Sequence, residues 1–250
     1  RKSSGERTFR APNEADLQAL QAANRTFDAV KEEWFDAGIL PTEEFPEGND
    51  LRPKHYGLDR WVDFFTPRQA LVHGTFGEEF ARLVPEVREA LGEAADQVLF
   101  ELALMQGKAL NYNSRLGSWH VSKQVMRSVF ERHDFAFKWT FAEFEGATAL
   151  YSWCLDQLTD AYGGIARLLD ETGSAELGTN DRLERQVTVT QGSAASLTLD
   201  DGSVTHVCMD PPYYNNVMYA ELADFFYVWE KRTLGRLVPD YFRDELTDKD

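Results

Sequence analysis

Two adjacent prolines, Pro211 and Pro212, restrict the folding of this chain more than any other feature. Each fixes φ at about −65° and lacks an N–H, so neither a strand ladder nor a helix interior continues through the pair. They follow a short apolar run, "VTHVCM" (204–209), and an acid, Asp210. The run reads as a buried strand, and the prolines as the stiff turn that ends it. Upstream, "RQVTVTQG" (185–192) is β-branched and short, which predicts a further strand. Between them "SAASLTLDDG" reads as a loop with a turn at Asp201-Gly202. Downstream, "YAELADFFYVWEKRTL" (219–234) predicts a helix with Leu222, Phe225, Phe226 and Trp229 on its apolar side and Gly235 as a stop. Strand, loop, strand, tight turn and helix is the grammar of a doubly wound α/β domain. Two strands are too few for such a sheet to stand alone, so the remaining strands are expected outside this chain.

The first two thirds of the chain have a different texture. Leu17, Leu20, Phe27, Val30 and Trp34 recur at steps of three, four and seven, predicting an amphipathic helix over 13–37 with Asn13 as cap and Gly38 as stop. Residues 39–65 carry three prolines and close on an aromatic cluster, "YGLDRWVDFF". "TPRQ" (66–69) is a helix start: Thr66 caps, Pro67 suits the first position and Gln69 completes a capping box. Helices are expected near 67–83, 86–113, 119–132 and 147–170, with breaks at Pro85, Gly117 and "FAFKWTFAEF". The expected organisation is residues 1–65 as a helix and irregular segment, 66–180 as a helical insertion, and 181–250 as part of an α/β domain.

Charge narrows the partners. The 250 residues carry a formal charge of −16, and Lys is scarce beside Arg, as on the acidic surface of a salt-adapted protein. An acidic chain is a poor general binder of nucleic acid. Residues 108–139 reverse the trend, with Lys108, Arg115, Lys123, Arg127, Arg132 and Lys138 against only Glu131 and Asp134. Aromatics and two histidines, His120 and His133, are interleaved; both histidines read as ordinary surface or core residues. Contact with a DNA backbone competes here with a solvated helix face, and Arg115, Lys123 and Arg127 are the positions to test. Two cysteines, Cys154 and Cys208, rule out a disulfide framework and a self-contained four-cysteine zinc site. Both read as small buried apolar residues in a reducing, cytoplasmic setting. No apolar run approaches the ~20 residues that span a membrane. The start "RKSSGERTFR" reads as a cut edge, which suggests a piece of a larger protein.

Asp210 at a strand end, beside a proline-stiffened carbonyl, forms a clamp of two acceptors. Such a clamp suits the exocyclic amino group of a nucleobase. That nitrogen is a weak nucleophile because its lone pair is delocalised into the ring. Holding both N–H groups turns it toward sp³ character and stabilises positive charge developing on it. The base must leave the duplex stack to reach the clamp, and Tyr213 offers a face to stack on it.

"DPPY" (210–213) resembles the catalytic motif of amino-group DNA methyltransferases that use S-adenosylmethionine. The longer run "DPPYYNNVMYAELADFFYVWEKRTLG" (210–235) resembles the large adenine-specific DNA methylases with a zinc-ribbon region found in prokaryotic anti-phage clusters. The resemblance extends to "GLDRWVDFFTPRQAL" (57–71) and weakly to "FKWTFAEFEGA" (137–147). It implies that Asp210 and the Pro211 carbonyl accept from the target amino group, that Pro212 shapes the turn, and that Tyr213 stacks on the base. It places Ser193 and Asp210 near the cofactor, S-adenosylmethionine, and Tyr214 and Asn215 near the DNA. Asn215 stands where an Asp is expected in close relatives. The Gly-rich cofactor loop and the zinc-ribbon cysteines of that family are missing from the sequence. "DAYGGIARLLD" (160–170) has paired glycines, but it follows a helical stretch and not a strand.

The expected fold class is therefore α/β: a partial Rossmann-like methyltransferase sheet with a large, mainly α-helical insertion. The expected activity is N6-methylation of a flipped adenine in double-stranded DNA, dormant in this stretch alone. Cytosine-N4 methylation, or a non-catalytic docking role among phage-defence proteins, is the alternative. No membrane association is expected.

Overall fold

The computed structural model describes residues 9–48, 50–135, 140–173, 188–190, 192–211 and 217–247. The chain divides into two units, one formed by Arg1–Leu158 with Met218–Asp250 and the other by Thr159–Val217. The described residues are mixed α and β but mainly helical, and their only sheet is a two-stranded hairpin. This grouping differs from the expected three parts, because the helix after the double proline belongs to the larger unit.

Helix α1 (Glu14–Asp36) starts where its cap lies. The Asn13 side chain accepts from the Asp16 N–H at 3.0 Å, and the Asp16 carboxylate accepts from the Asn13 N–H at 2.8 Å. That reciprocal pair satisfies two donors a helix start otherwise orphans. After the chain turns at Gly38 (φ 66°), Ile39 and Leu40 enter the core. The segment up to Phe65 is largely irregular, broken by α2 (Arg52–His55) and a 3₁₀ turn at Trp61–Phe64.

Helix α3 (Pro67–Leu91) begins with the expected box: Gln69 N–H donates to Thr66 Oγ1 and the Gln69 side chain accepts from Thr66 N–H. It does not stop at Pro85. Val84 and Val87, on either side, pack on the cluster of Phe80, Leu99, Ala103 and Leu234. That burial offsets the lost hydrogen bond, and the helix instead ends at Gly92, whose φ of 54° L-residues avoid. Helix α4 (Ala95–Leu110) then returns antiparallel to α3 in a helical hairpin. Gly74 of α3 lies against the Trp34 ring, in a space that leaves no room for a Cβ. The close approach of α1 and α3 is built on that glycine.

The helix expected over 119–132 is instead a hairpin, β1 (Ser118–His120) and β2 (Val125–Arg127), with Trp119 opposite Met126. Valines at 121, 125 and 129 favour extended backbone, and Gln124 takes a left-handed conformation (φ 51°) that closes the turn. Helix α5 (Leu150–Gly173) starts three residues later than expected, behind the Glu145 carboxylate, which accepts the N–H groups of Ala147, Thr148 and Ala149.

Helix α6 (Tyr219–Glu230) is the best-anchored element near the proline motif in sequence. Phe225 stacks on Phe65 (5.5 Å between centroids), Trp229 meets Phe65 edge-on at 5.1 Å, and Phe130 packs against both Phe225 and Phe226. Trp61, Phe64, Phe45 and Phe135 continue the same aromatic core. Just beyond α6, Arg232 reaches back to Glu43 with bonds of 2.7 and 2.8 Å, in a site where both side chains are nearly inaccessible.

In the smaller unit, the strand expected at 204–209 is not formed. Val204, Val207, Cys208 and Met209 are exposed, with Met209 at 80%. A strand needs a ladder partner, and none lies among the described residues. Of the strand expected at 185–192, residues 188–190 and 192 carry no regular structure, and the rest lie outside the described residues. A Rossmann-like sheet is thus not seen among the described residues. Cys154 is buried as expected, and burial pushes its thiol up to about 11. Cys208 is exposed, contrary to the expectation.

Candidate functional site

Asp210 and Pro211 lie on irregular, exposed backbone. Pro212, Tyr213, Tyr214 and Asn215 lie outside the described residues. Ser193 is exposed on a turn, where its Oγ accepts from the Ala195 N–H at 3.2 Å and its carbonyl from the Ser196 N–H at 3.1 Å. A hydroxyl occupied in an open turn offers S-adenosylmethionine no enclosure. The described residues at 193 and 210 therefore do not by themselves fit that cofactor. Among the described residues, no group of three or more His, Cys, Asp or Glu is placed to hold a metal.

The basic candidates separate into two kinds. Arg115 turns inward: it donates to the Asp63 carbonyl at 3.0 Å, and burial lowers its pKa. Its backbone N–H also donates to the Phe64 carbonyl at 2.8 Å, so it ties the aromatic segment to the end of α4. Lys123 stands exposed in the hairpin turn, its N–H donating to His120 Nδ1 at 3.3 Å. Arg127 is on β2 and forms an ion pair with Glu131. Arg132 is 3.5 Å from Asp134. Charge reversal separates the two kinds. Lys123→Glu with Arg127→Glu is expected to weaken duplex DNA binding and to flatten the salt dependence by about two units, one for each phosphate contact. Arg115→Glu is expected to lower the unfolding midpoint instead. Fluorescence anisotropy at several salt concentrations, beside thermal melts, reads both.

The hairpin is bordered by two cavities. One, of about 640 Å³, is lined by Ser118, His120, Ser122, Arg127 and Arg132. The other, of about 410 Å³, is lined by Tyr112, Gln124, Met126, Phe144 and Trp153, and Trp119 borders both. In the second, Trp153 stacks on Phe144 and meets Tyr112 edge-on at 5.1 Å. The Lys108 ammonium sits over the Tyr112 and Trp153 rings at 4.8 and 5.1 Å. The two acids at this cavity are engaged: Glu143 pairs with Arg68, and Glu145 holds the start of α5. The basic composition of this segment was visible in the sequence. The aromatic convergence was not, because its rings come from α4, β1, the loop near 144 and α5.

His73, on α3, is fully buried between Phe65, Tyr151 and Trp229. Nε2 lies 3.0 Å from the Asn113 carbonyl, an acceptor only, so Nε2 carries the proton and Nδ1 accepts from the Tyr151 hydroxyl at 3.1 Å. Burial pushes its pKa down from 6.5 to about 4. The unfolded chain therefore binds the extra proton first, and stability falls as pH drops from about 6.5 toward 4. From pH 7.5 to pH 5 this group is expected to cost about 2 kcal/mol. Urea titrations at the two pH values, compared with His73→Gln, isolate it: the variant should lose that part of the slope.

No protein-family model, curated protein or solved structure matches the chain.

Proposed function

We propose that this chain is the catalytic-half portion of an S-adenosylmethionine-dependent DNA methyltransferase acting on N6 of a flipped adenine. The observation that carries the reading is the run Asp210-Pro211-Pro212-Tyr213, set between an apolar run and a helix whose aromatic side is fixed in a core. Asp210 supplies a carboxylate in open surroundings, where nothing occludes an approaching base. With the Pro211 carbonyl it accepts the two N–H bonds of the amino group, and the nitrogen lone pair leaves ring conjugation. Tyr213 stacks on the extrahelical base.

The cofactor, when bound, supplies an electrophilic methyl group. Because Ser193 and Asp210 do not enclose it, it would be held by residues beyond those described. The exposure of Val207 and Met209 supports the same reading, since an apolar run left uncovered is suited to pairing with further strands. Among the described residues no helix is long and apolar enough to cross a membrane.

The test is transfer of label from methyl-labelled S-adenosylmethionine to duplex DNA by the full-length protein. Transfer is expected. Its absence over many equivalents of enzyme overturns the reading.

A further inference from the structure

We propose that the β1–β2 hairpin straddles a nucleic-acid strand, with one unpaired base in the aromatic cavity and the adjoining phosphates on the basic side. The inference rests on the nucleic-acid reading of this chain but not on its methyltransferase chemistry. Strand alternation divides the hairpin: Ser118 and Arg127 share one face, Trp119 and Met126 the other. One face therefore borders the cavity with Arg127, Arg132 and His120, and the other the cavity with Tyr112, Phe144 and Trp153. A cationic track beside aromatic faces is the arrangement that binds single strands, because every base has a π-face and every link a phosphate. The aromatic cavity falls in the size range of small-ligand sites, about 300–1,000 Å³.

The chemistry of the cavity excludes the other ligand that aromatic cages commonly take. A cation has its place over Tyr112 and Trp153 already filled by Lys108. Glu143 and Glu145, the carboxylates that would attract one, are spent on Arg68 and on the start of α5. What remains favourable is a neutral flat ring. Trp119 is the ring with room to receive it, being 38% exposed. Gln124 adds a second, independent observation. It lines this cavity in a left-handed conformation that glycine adopts without strain and glutamine does not. A side chain kept at that cost is explained by contact with an occupant.

The probes are a fluorescein-labelled strand of ten thymidines and an abasic strand of equal length and charge, each titrated with the full-length protein. The base-bearing strand is expected to bind about tenfold tighter or more. Trp119→Ala is expected to remove that advantage while leaving the abasic strand unaffected, and Trp119→Phe to restore most of it. Gln124→Gly is expected to weaken the base-bearing strand while holding or raising the melting temperature. Equal affinity for the two strands overturns the proposal, as does Trp119→Ala binding like the wild type, or thymidine monophosphate binding as tightly as the strand. If methyl transfer fails but base-dependent binding persists, only the methyltransferase reading falls. If transfer proceeds and the strands bind equally, only the cavity proposal falls.

Discussion

Replacing Arg232 with alanine is expected to destabilise the larger unit by about 3–5 kcal/mol, the cost of leaving a buried charge without its partner. Arg232 and Glu43 are 9% and 6% exposed, and their bond is bidentate at 2.7 and 2.8 Å. The same guanidinium donates to the carbonyls of Val228 and Leu40. One side chain therefore closes the end of α6, the irregular segment after α1 and a buried carboxylate. Lys231, 3.6 Å from Glu43, compensates only in part. The double variant Glu43→Leu/Arg232→Met is expected to recover most of the loss, because it removes the stranded charge along with the pair. Urea unfolding of the two proteins reads this directly. A loss below about 1 kcal/mol for Arg232→Ala would place the pair among exposed, weakly coupled ions.

Asp210→Ala is expected to lower the methyl-transfer rate by about 10²–10³-fold, the loss typical of removing one preorganised partner of developing charge. The substitution should leave the melting temperature unchanged, because Asp210 is exposed and no hydrogen bond engages its side chain among the described residues. Asp210→Asn keeps an acceptor oxygen but not the charge, so its rate should fall between the two. A Asp210→Ala protein within threefold of wild type would remove the carboxylate from the proposed clamp, whatever the rest of the motif does.

Capping was legible in the sequence because it is local. Asn13 with Asp16, and Thr66 with Gln69, satisfy each other within four residues, and no tertiary contact is needed to foresee them. The aromatic sides of 61–65 and of α6 were legible as core, since so many large rings find no other stable place. Pro85 was misleading because a local penalty was outweighed by the packing of Val84 and Val87 on a distant helix. The stretch from Trp119 to Arg132 fits helical spacing in sequence, but its hairpin depends on a left-handed Gln124, a conformation no composition announces. Arg115 was chosen for its charge alone, and charge says nothing of the Asp63 carbonyl that turns it inward. The run at 204–209 is apolar enough for a strand, but a strand is a property of two segments, and the described residues hold only one of them.

The most direct measurement of the central claim is nucleoside analysis by mass spectrometry of duplex DNA treated with S-adenosylmethionine and the full-length protein, in parallel with Asp210→Ala. The account predicts N6-methyladenine from the wild type and almost none from the variant. N4-methylcytosine in its place would move the target to the other exocyclic amine, while no methylated base, or equal yields from the two proteins, would contradict the clamp.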